Sequence, residues 1–333
     1  MKKDLLPAGL PFFKANLHCH TTISDGDYTP EQIKDHYMKN GYSVVAFTDH
    51  EILIPHPELA EENFLPLNGY EYEVISPENP DNPAHKLRKT CHMCLIALEP
   101  DNLEHVCWDG GLWGNAVNYR DRAKLKDEPL FQRVYNGECI SHVMRTAREN
   151  GFFVTYNHPT WSMEDMADIQ HYHGMHAMEI YNNGCTQSGH AEYNPTVYRD
   201  ILRRGERIYC LATDDNHVER DLCGGWVMIR ADKLEYRTIT KALEQGHFYA
   251  STGPEIHELW FEDGKIHVKC SPATKIVATC GARAVRWVNK GADALTEAAI
   301  TVEPDDIFVR ITVWDADGKH ADTNAYFTDE LFA

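Results

Sequence analysis

The sequence predicts a mostly parallel α/β barrel followed by a small all-β unit. Three observations predict it. Apolar strand-like runs alternate with helical stretches across residues 1–254. Histidine, aspartate and glutamate recur at the ends of those runs. After Pro254 the helix signal stops and short alternating strands take over.

The first run, Phe13 to Leu17, leads into His18-Cys19-His20. Residues two apart on an extended chain share a face, roughly 6–7 Å apart, so both imidazoles can reach one metal ion while Cys19 points away. Ser24-Asp25-Gly26 then reads as a turn. Thr29-Pro30-Glu31-Gln32 opens the first helix with an N-cap, a proline at the first helical position and a capping-box Gln, and Gly41 closes it. Val44 to Phe47 leads to Thr48-Asp49-His50, Phe64 to Leu67 leads to Asn68-Gly69-Tyr70-Glu71, and His92 abuts Met93 to Leu98. The step from His50 to Glu71 to His92 is about twenty residues, a strand plus a short connection. In a barrel of parallel strands all strand ends share one rim, so ligands far apart in sequence become neighbours.

Helices are predicted at Ile140 to Glu149, Thr196 to Arg204 and Lys233 to Gln245, each followed by Gly and then a β-rich run: Phe152 to Tyr156, Ile208 to Ala212 and Phe248 to Ala250. Ala177 to Tyr181 and Trp226 to Ile229 add strands. Asn157-His158-Pro159 and Asp214-Asp215-Asn216-His217 sit at strand ends. Asn182-Asn183-Gly184 follows a strand at the same rim, where Asn182 can hydrogen-bond substrate or a ligand, or the segment simply turns the chain. His171, His173 and His176 precede a strand and are expected at the opposite rim.

Two stretches break the spacing, Ser76 to Lys89 and Glu99 to Val134. The second carries Arg120, Arg122 and Lys124, a candidate phosphate clamp because guanidinium forks suit that group; the alternative is a solvated charged loop. His190, after a Ser-Gly turn, is a candidate proton donor. The tail, residues 255–333, reads as a β-sandwich-like domain with an Asp263-Gly264 hairpin turn, and packing, dimerisation or shaping of the active site are its expected roles.

A net charge of −19 disfavours duplex nucleic acid and anionic membranes as partners, but not a small anion held by metals. No apolar run approaches the ~20 residues needed to span a membrane, and no signal peptide is read at the N-terminus. Ten cysteines without a scaffold spacing suit reduced thiols in a cytoplasmic protein, and the lone Cys91-x-x-Cys94 reads as a buried strand.

The ordered set HCH, SDG, FTDH, GYE, His92 with its strand, NHP and DDNH resembles the motifs of the polymerase-and-histidinol-phosphatase (PHP) family over about residues 13–254. The resemblance implies a distorted barrel of about seven β/α units. It also implies a metal-dependent phosphoesterase with two or three divalent ions, manganese, iron or zinc. Position by position it implies His18, His20, Glu71 and Asp215 on the first ion, Glu71 bridging to a second that also uses His92 and His158, and Asp25, His50 and His217 on the third. Many members carry His where Asp25 stands. Asp214 competes with Asp215, which the Asp-x-His spacing to His217 favours, and Glu73 competes with Glu71. Imidazole with carboxylate suits all three metals. Asp49, just before His50, is counted with the catalytic residues, orienting another ligand's free N–H or else coordinating an ion directly. The stretch 248–254 with Thr323-Asn324 is similar to a PHP branch that includes carbamate-ester hydrolases. The expected function is hydrolysis of a small phosphorylated metabolite or nucleotide by a metal-bridging hydroxide, with Glu71 and Asp215 central to catalysis. The alternatives are a carboxylic or carbamate ester or amide hydrolase, and a non-catalytic metal-binding scaffold. A homo-oligomer is left open.

Overall fold

The computed structural model describes residues 2–78, 88–288 and 294–333. Most of the expected loop at 76–89 therefore lies outside the described residues.

The elements are β1 (Lys3–Asp4), β2 (Phe12–Asn16), α1 (Pro30–Lys39), β3 (Val44–Phe47), β4 (Leu65–Ile75), β5 (Thr90–Ala97), α2 (Gly137–Glu149), β6 (Phe152–Tyr156), α3 (Met166–Ile169), β7 (Ala177–Asn182), α4 (Asn183–Gln187), α5 (Pro195–Arg203), β8 (Tyr209–Thr213), β9 (Trp226–Arg230), α6 (Tyr236–Glu244) and β10 (Phe248–Ser251). Then come β11 (Ile256–Glu262), β12 (Lys265–Ala273), β13 (Lys275–Cys280), β14 (Val285–Val288), β15 (Leu295–Thr301), β16 (Phe308–Trp314), β17 (His320–Thr323), β18 (Tyr326–Phe327) and α7 (Thr328–Leu331).

The architecture is mixed α/β around one large sheet, β14-β13-β16-β17-β10-β9-β2-β3-β4-β5-β6-β7-β8. Pairing is parallel for β2–β3, β3–β4, β6–β7 and β7–β8, but antiparallel for β10–β9, β9–β2, β4–β5 and β5–β6. The expectation of a mostly parallel sheet is corrected on this point. Strand β5 runs back alongside β4, with Glu73 opposite His92 and Ile75 opposite Thr90, and an antiparallel neighbour needs no crossover. The two limbs of the sheet approach each other beyond β2 and β8, where an isolated parallel bridge joins Cys19 to Asn216 and the Asp215 N–H donates to His18 O (3.0 Å).

Local rules account for the elements that carry the site. Thr29 Oγ1 accepts the Gln32 N–H and Gln32 Oε1 accepts the Thr29 N–H, so the capping box forms at the start of α1. Ile33 and Tyr37, four apart, bury one face of α1 against Val45 and Phe47 of β3. Helices α2 and α5 lay Ile140, Val143, Met144, Tyr198, Ile201 and Leu202 on β4–β8.

Beyond Ser251 the ladder continues: β10 pairs with β17, so the tail's strands extend the same sheet. A second sheet, β1-β11-β12-β15, shares a buried apolar core with β13 and β16 through Leu259, Ile266, Val268, Ile276, Ile311 and Val313. Leu6, near the start of the chain, joins that core. One four-residue helix, α7, stands where the sequence showed no helix signal. Among the described residues no helix is long and apolar enough to cross a membrane.

Candidate metal centre

The chain places the ligand-type residues just beyond β2, β3, β6 and β8, within β4 and at the start of β5. His92 reaches this rim for a reason the strand-end rule does not supply. Strand β5 runs antiparallel to β4, so its first residues lie beside the last residues of β4, with Glu73 opposite His92. Gly26 in the Ser-Asp-Gly turn has no room for a side chain: a Cβ there would sit 2.7 Å from His20 O. Three non-glycine residues at the rim, Glu51, His158 and Asp215, have positive φ (62°, 23° and 48°), and such strain concentrates at functional sites.

Glu71 is the hub. Its Oε1 lies 3.2 Å from His18 Nε2, 3.1 Å from His92 Nδ1 and 3.3 Å from His158 Nε2. Its Oε2 lies 3.3 Å from His20 Nε2 and 3.2 Å from His50 Nδ1. Asp215 Oδ1 is 3.3 Å from His18 Nε2 and 3.1 Å from His20 Nε2. Asp25 lies 3.4 Å from His217 Nε2 and 3.8 Å from His50 Nε2. All nine residues expected as ligands thus meet in one place, in overlapping groups: His18-His20-Glu71-Asp215, His50-Glu71-His92 and His20-Asp25-His50-His217. His158 also groups with His18 and Glu179.

The far side of three rings is held. His18 Nδ1 donates to Glu179 Oε1 (2.7 Å), His92 Nε2 to Glu73 Oε2 (2.8 Å), and His217 Nδ1 lies 3.1 Å from Asp215 O. Such bonds fix the tautomer and turn the other nitrogen inward. Glu73 therefore stands behind His92 while Glu71 stands at the centre. Asp214 points away, accepting from Tyr37 Oη and from the Cys223, Gly224 and Gly225 N–H groups, and burial pushes its carboxyl up to about 6.

Glu179 escaped the sequence reading because it lies inside β7 and belongs to no strand-end motif. Its oxygens accept from Thr213 Oγ1 (2.6 Å), the His158 N–H (3.0 Å) and Asn182 Nδ2 (2.9 Å) besides His18. Glu179→Ala is expected to weaken metal affinity about 10- to 100-fold, as loss of a ligand's supporting partner typically does, in a chelator-competition titration.

Asp49 is corrected. It touches no ligand ring; its carboxylate accepts from the Thr21 and Ser24 N–H groups and from both hydroxyls, ordering the turn that carries Asp25. Asn182 donates to Glu179 and to Asp215 Oδ2 (3.1 Å). His173 pairs with Glu206 and His176 Nδ1 accepts the Val154 N–H; neither they nor His171 join the acid–imidazole groups. All ten cysteines are free, and Cys19 is buried against Ile33 and Tyr37.

The residues fit a divalent metal. His50 Nδ1, Glu71 Oε2 and His92 Nδ1 are buried without a hydrogen-bond partner, and buried polar atoms are otherwise nearly always satisfied. The missing partner for three inward-facing donors of imidazole and carboxylate type is a cation. Burial pushes the Glu71 carboxyl up, but the imidazoles of His18, His92 and His50 outweigh it and hold Glu71 well below the usual carboxylate range. Burial pulls His20 down, yet Asp215 and Glu71 lift it to about 10.

A cavity of about 270 Å³ opens onto the centre, lined by Asp25, His50, Glu71, His92, His158, Asp215 and His217. Trp113, Trp161, Cys185, Ser188 and Arg220 complete its wall. Arg120, Arg122 and His190 do not line it. Arg120 donates to Gly110 O (2.8 Å), Arg122 lies over the Tyr119 ring, and all three are exposed. The 3₁₀ turn Gly114–Arg122 directs both arginines to solvent. The cation in the wall is Arg220 instead, three residues after His217 on the same turn, with Nη2 3.3 Å from Ser188 Oγ and Nε 3.4 Å from Asp221 Oδ1. Its closeness to the Asp-Asp-Asn-His motif was the available signal. Arg133, also unforeseen, clamps the end of the long loop by a two-pronged pair with Glu51 (2.6 and 2.7 Å), the neighbour of His50.

No family model matches the chain, and no curated protein does. Solved structures do. The chain is similar to a two-domain protein from Bacteroides vulgatus described as containing a predicted PHP-like metal-dependent phosphoesterase, at 14% identity and a TM-score of 0.45, over 98% of this chain and 97% of that one. It is similar to a lesion-specific endonuclease from Pyrococcus furiosus at 12% identity and a TM-score of 0.42, over 70% of this chain and 56% of that one. An amidohydrolase from Chromobacterium violaceum aligns at 14% identity and a TM-score of 0.34, over 61% of this chain and 87% of that one. At these TM-scores the likenesses carry no argument about chemistry, which rests on the site's own geometry.

Proposed function

We propose that the chain is a metal-dependent hydrolase of small phosphate esters, its curved sheet a distorted barrel and residues 255–333 a sandwich-like domain beside it. The observation that carries this reading is Glu71, one buried carboxylate with imidazoles on both oxygens. Such a group can be shared by two divalent ions. His18, His20 and Asp215 would complete one position, His92 and His158 the next, and Asp25, His50 and His217 a third. Bound metal supplies Lewis acidity and lowers the pKa of a water from 15.7 to about 7.

The protein's own part is positioning. Glu179, Glu73 and Asn182 orient the ligands, and Arg220 with Ser188 offers donors to an anionic group. Among the described residues the wall holds no activated nucleophile. Burial, with Asp215 adding to it, pushes the Cys185 thiol far up, and Ser188 Oγ has Arg220 Nη2 as its neighbour rather than a base. Hydrolysis is therefore direct attack of water, without a covalent enzyme intermediate. A phosphate ester made chiral at phosphorus by sulfur and oxygen isotopes tests this: hydrolysis with inversion at phosphorus is expected, and net retention, which a covalent phosphoenzyme gives, refutes it.

Among the described residues a single cation, Arg220, lines the cavity, which favours a carboxylic or carbamate ester or amide as the second reading. Oxygen-18 from labelled water appearing in a carboxylate product would promote that reading. A charge-assisted hydrogen bond is worth roughly 1.5–3 kcal/mol, and solvent screens this one because the Arg220 side chain is 62% exposed. Arg220→Ala is accordingly expected to raise KM for a phosphorylated substrate about tenfold, and Arg120→Ala to leave it unchanged, in steady-state kinetics.

A further inference from the structure

The cavity wall has an aromatic part that metal chemistry does not require. Trp113 packs on His50 (ring centroids 4.3 Å apart), and Trp161 packs on His158 (5.0 Å) and His92 (5.3 Å). Both line the cavity, yet they stay 38% and 39% exposed, so each indole keeps accessible surface beside the ligand rings.

Both are mounted on fixed backbone. The buried Glu192 carboxylate accepts the Thr160 and Trp161 N–H groups (3.0 and 2.8 Å). Asn115, two residues after Trp113, donates its N–H to Ser24 O (2.9 Å) and its side-chain amide to Thr22 O (3.2 Å), tying the loop to the Asp25 turn. A pre-set indole loses little conformational entropy when a flat ring stacks on it. The cavity, at about 270 Å³, falls just under the roughly 300–1,000 Å³ of drug-sized sites, which suits one ring and one small acidic group.

We propose that the organic half of the substrate is a planar aromatic ring seated against Trp113 and Trp161, with its anionic end toward Arg220. The nature of the anionic end rests on the phosphate-ester reading; ring recognition does not.

The test is calorimetric binding to the full-length, metal-loaded protein of phenylphosphonate against methylphosphonate, with benzoate against acetate alongside. A stacked ring is worth roughly 1–3 kcal/mol, so the phenyl member should bind about tenfold tighter or better. Trp113→Leu combined with Trp161→Leu should bring that ratio close to one, and Trp→Phe at both positions should retain most of it. Equal affinities within each pair for the native protein overturn the proposal. So does an unchanged ratio in the double Leu variant with both affinities lowered together, because indoles that only shield the ligands would act that way. A ring preference confined to the carboxylates, with neither phosphonate bound, keeps the aromatic subsite and defeats the phosphate-ester reading.

Discussion

Glu71→Gln is expected to cut kcat/KM by several orders of magnitude and to lower the metal retained per chain. The amide keeps the shape of the side chain, so what is lost is the charge that faces His18, His92 and His158 on one oxygen and His20 and His50 on the other. The magnitude follows from water activation, since a drop in water pKa from 15.7 to about 7 is the effect being removed. Steady-state kinetics with plasma mass spectrometry of the dialysed protein measures both. Cys19→Ser, one residue from two ligands, should cost far less. Cys19 is packed against Ile33 and Tyr37, and burial holds its thiol neutral.

Arg310→Ala is expected to destabilise the fold by about 3–5 kcal/mol, the range for removing one partner of a buried ion pair. Arg310 and Asp322 are 2.8 Å apart with side chains only 5% and 1% exposed. They join β16 to β17, and β17 in turn pairs with β10. Removing the guanidinium leaves Asp322 with His320 Nδ1 (2.7 Å) and Thr312 Oγ1 (2.8 Å). Urea unfolding of the metal-loaded protein reads the loss. The pH dependence has a definite sign. Burial pushes the Asp322 carboxyl up, but His320 and Arg310 outweigh it and hold it below the usual range. A carboxyl depressed in the folded state stabilises above its unfolded value of about 3.9, and that stability is lost as pH falls through the folded value. Arg310→Ala should therefore show a shallower loss of stability on acidification than the native protein.

How much of this was legible in the sequence depends on whether a residue's role is local. The capping box of α1 and the Asp263-Gly264 hairpin turn between β11 and β12 involve neighbours in the chain, and they stand where the sequence put them. Most of the acid and imidazole residues were legible as motifs at strand ends and in the Ser-Asp-Gly turn, and the full set of nine through the ordered motifs that resemble the PHP family. Failures came where tertiary context overrides a local cue. Asn68-Gly69 stands where the run Phe64 to Leu67 is expected to end, yet both lie inside the eleven-residue β4. Gly69 is there because a Cβ would come 3.0 Å from Leu95 O of the neighbouring strand. Glu179 looks like an ordinary strand residue, and its importance is visible only once His18, Thr213 and His158 surround it. Arg120 and Arg122 had suitable chemistry on a loop whose 3₁₀ turn aims them outward, whereas Arg220 held the wall position.

The most direct test of the central claim is anomalous diffraction from crystals of the protein soaked in manganese. Two or three ions are expected at the rim, with Glu71 bridging a pair and His158 on one of them. Strong anomalous peaks elsewhere, with Glu71 and His158 touching no ion, would contradict that claim.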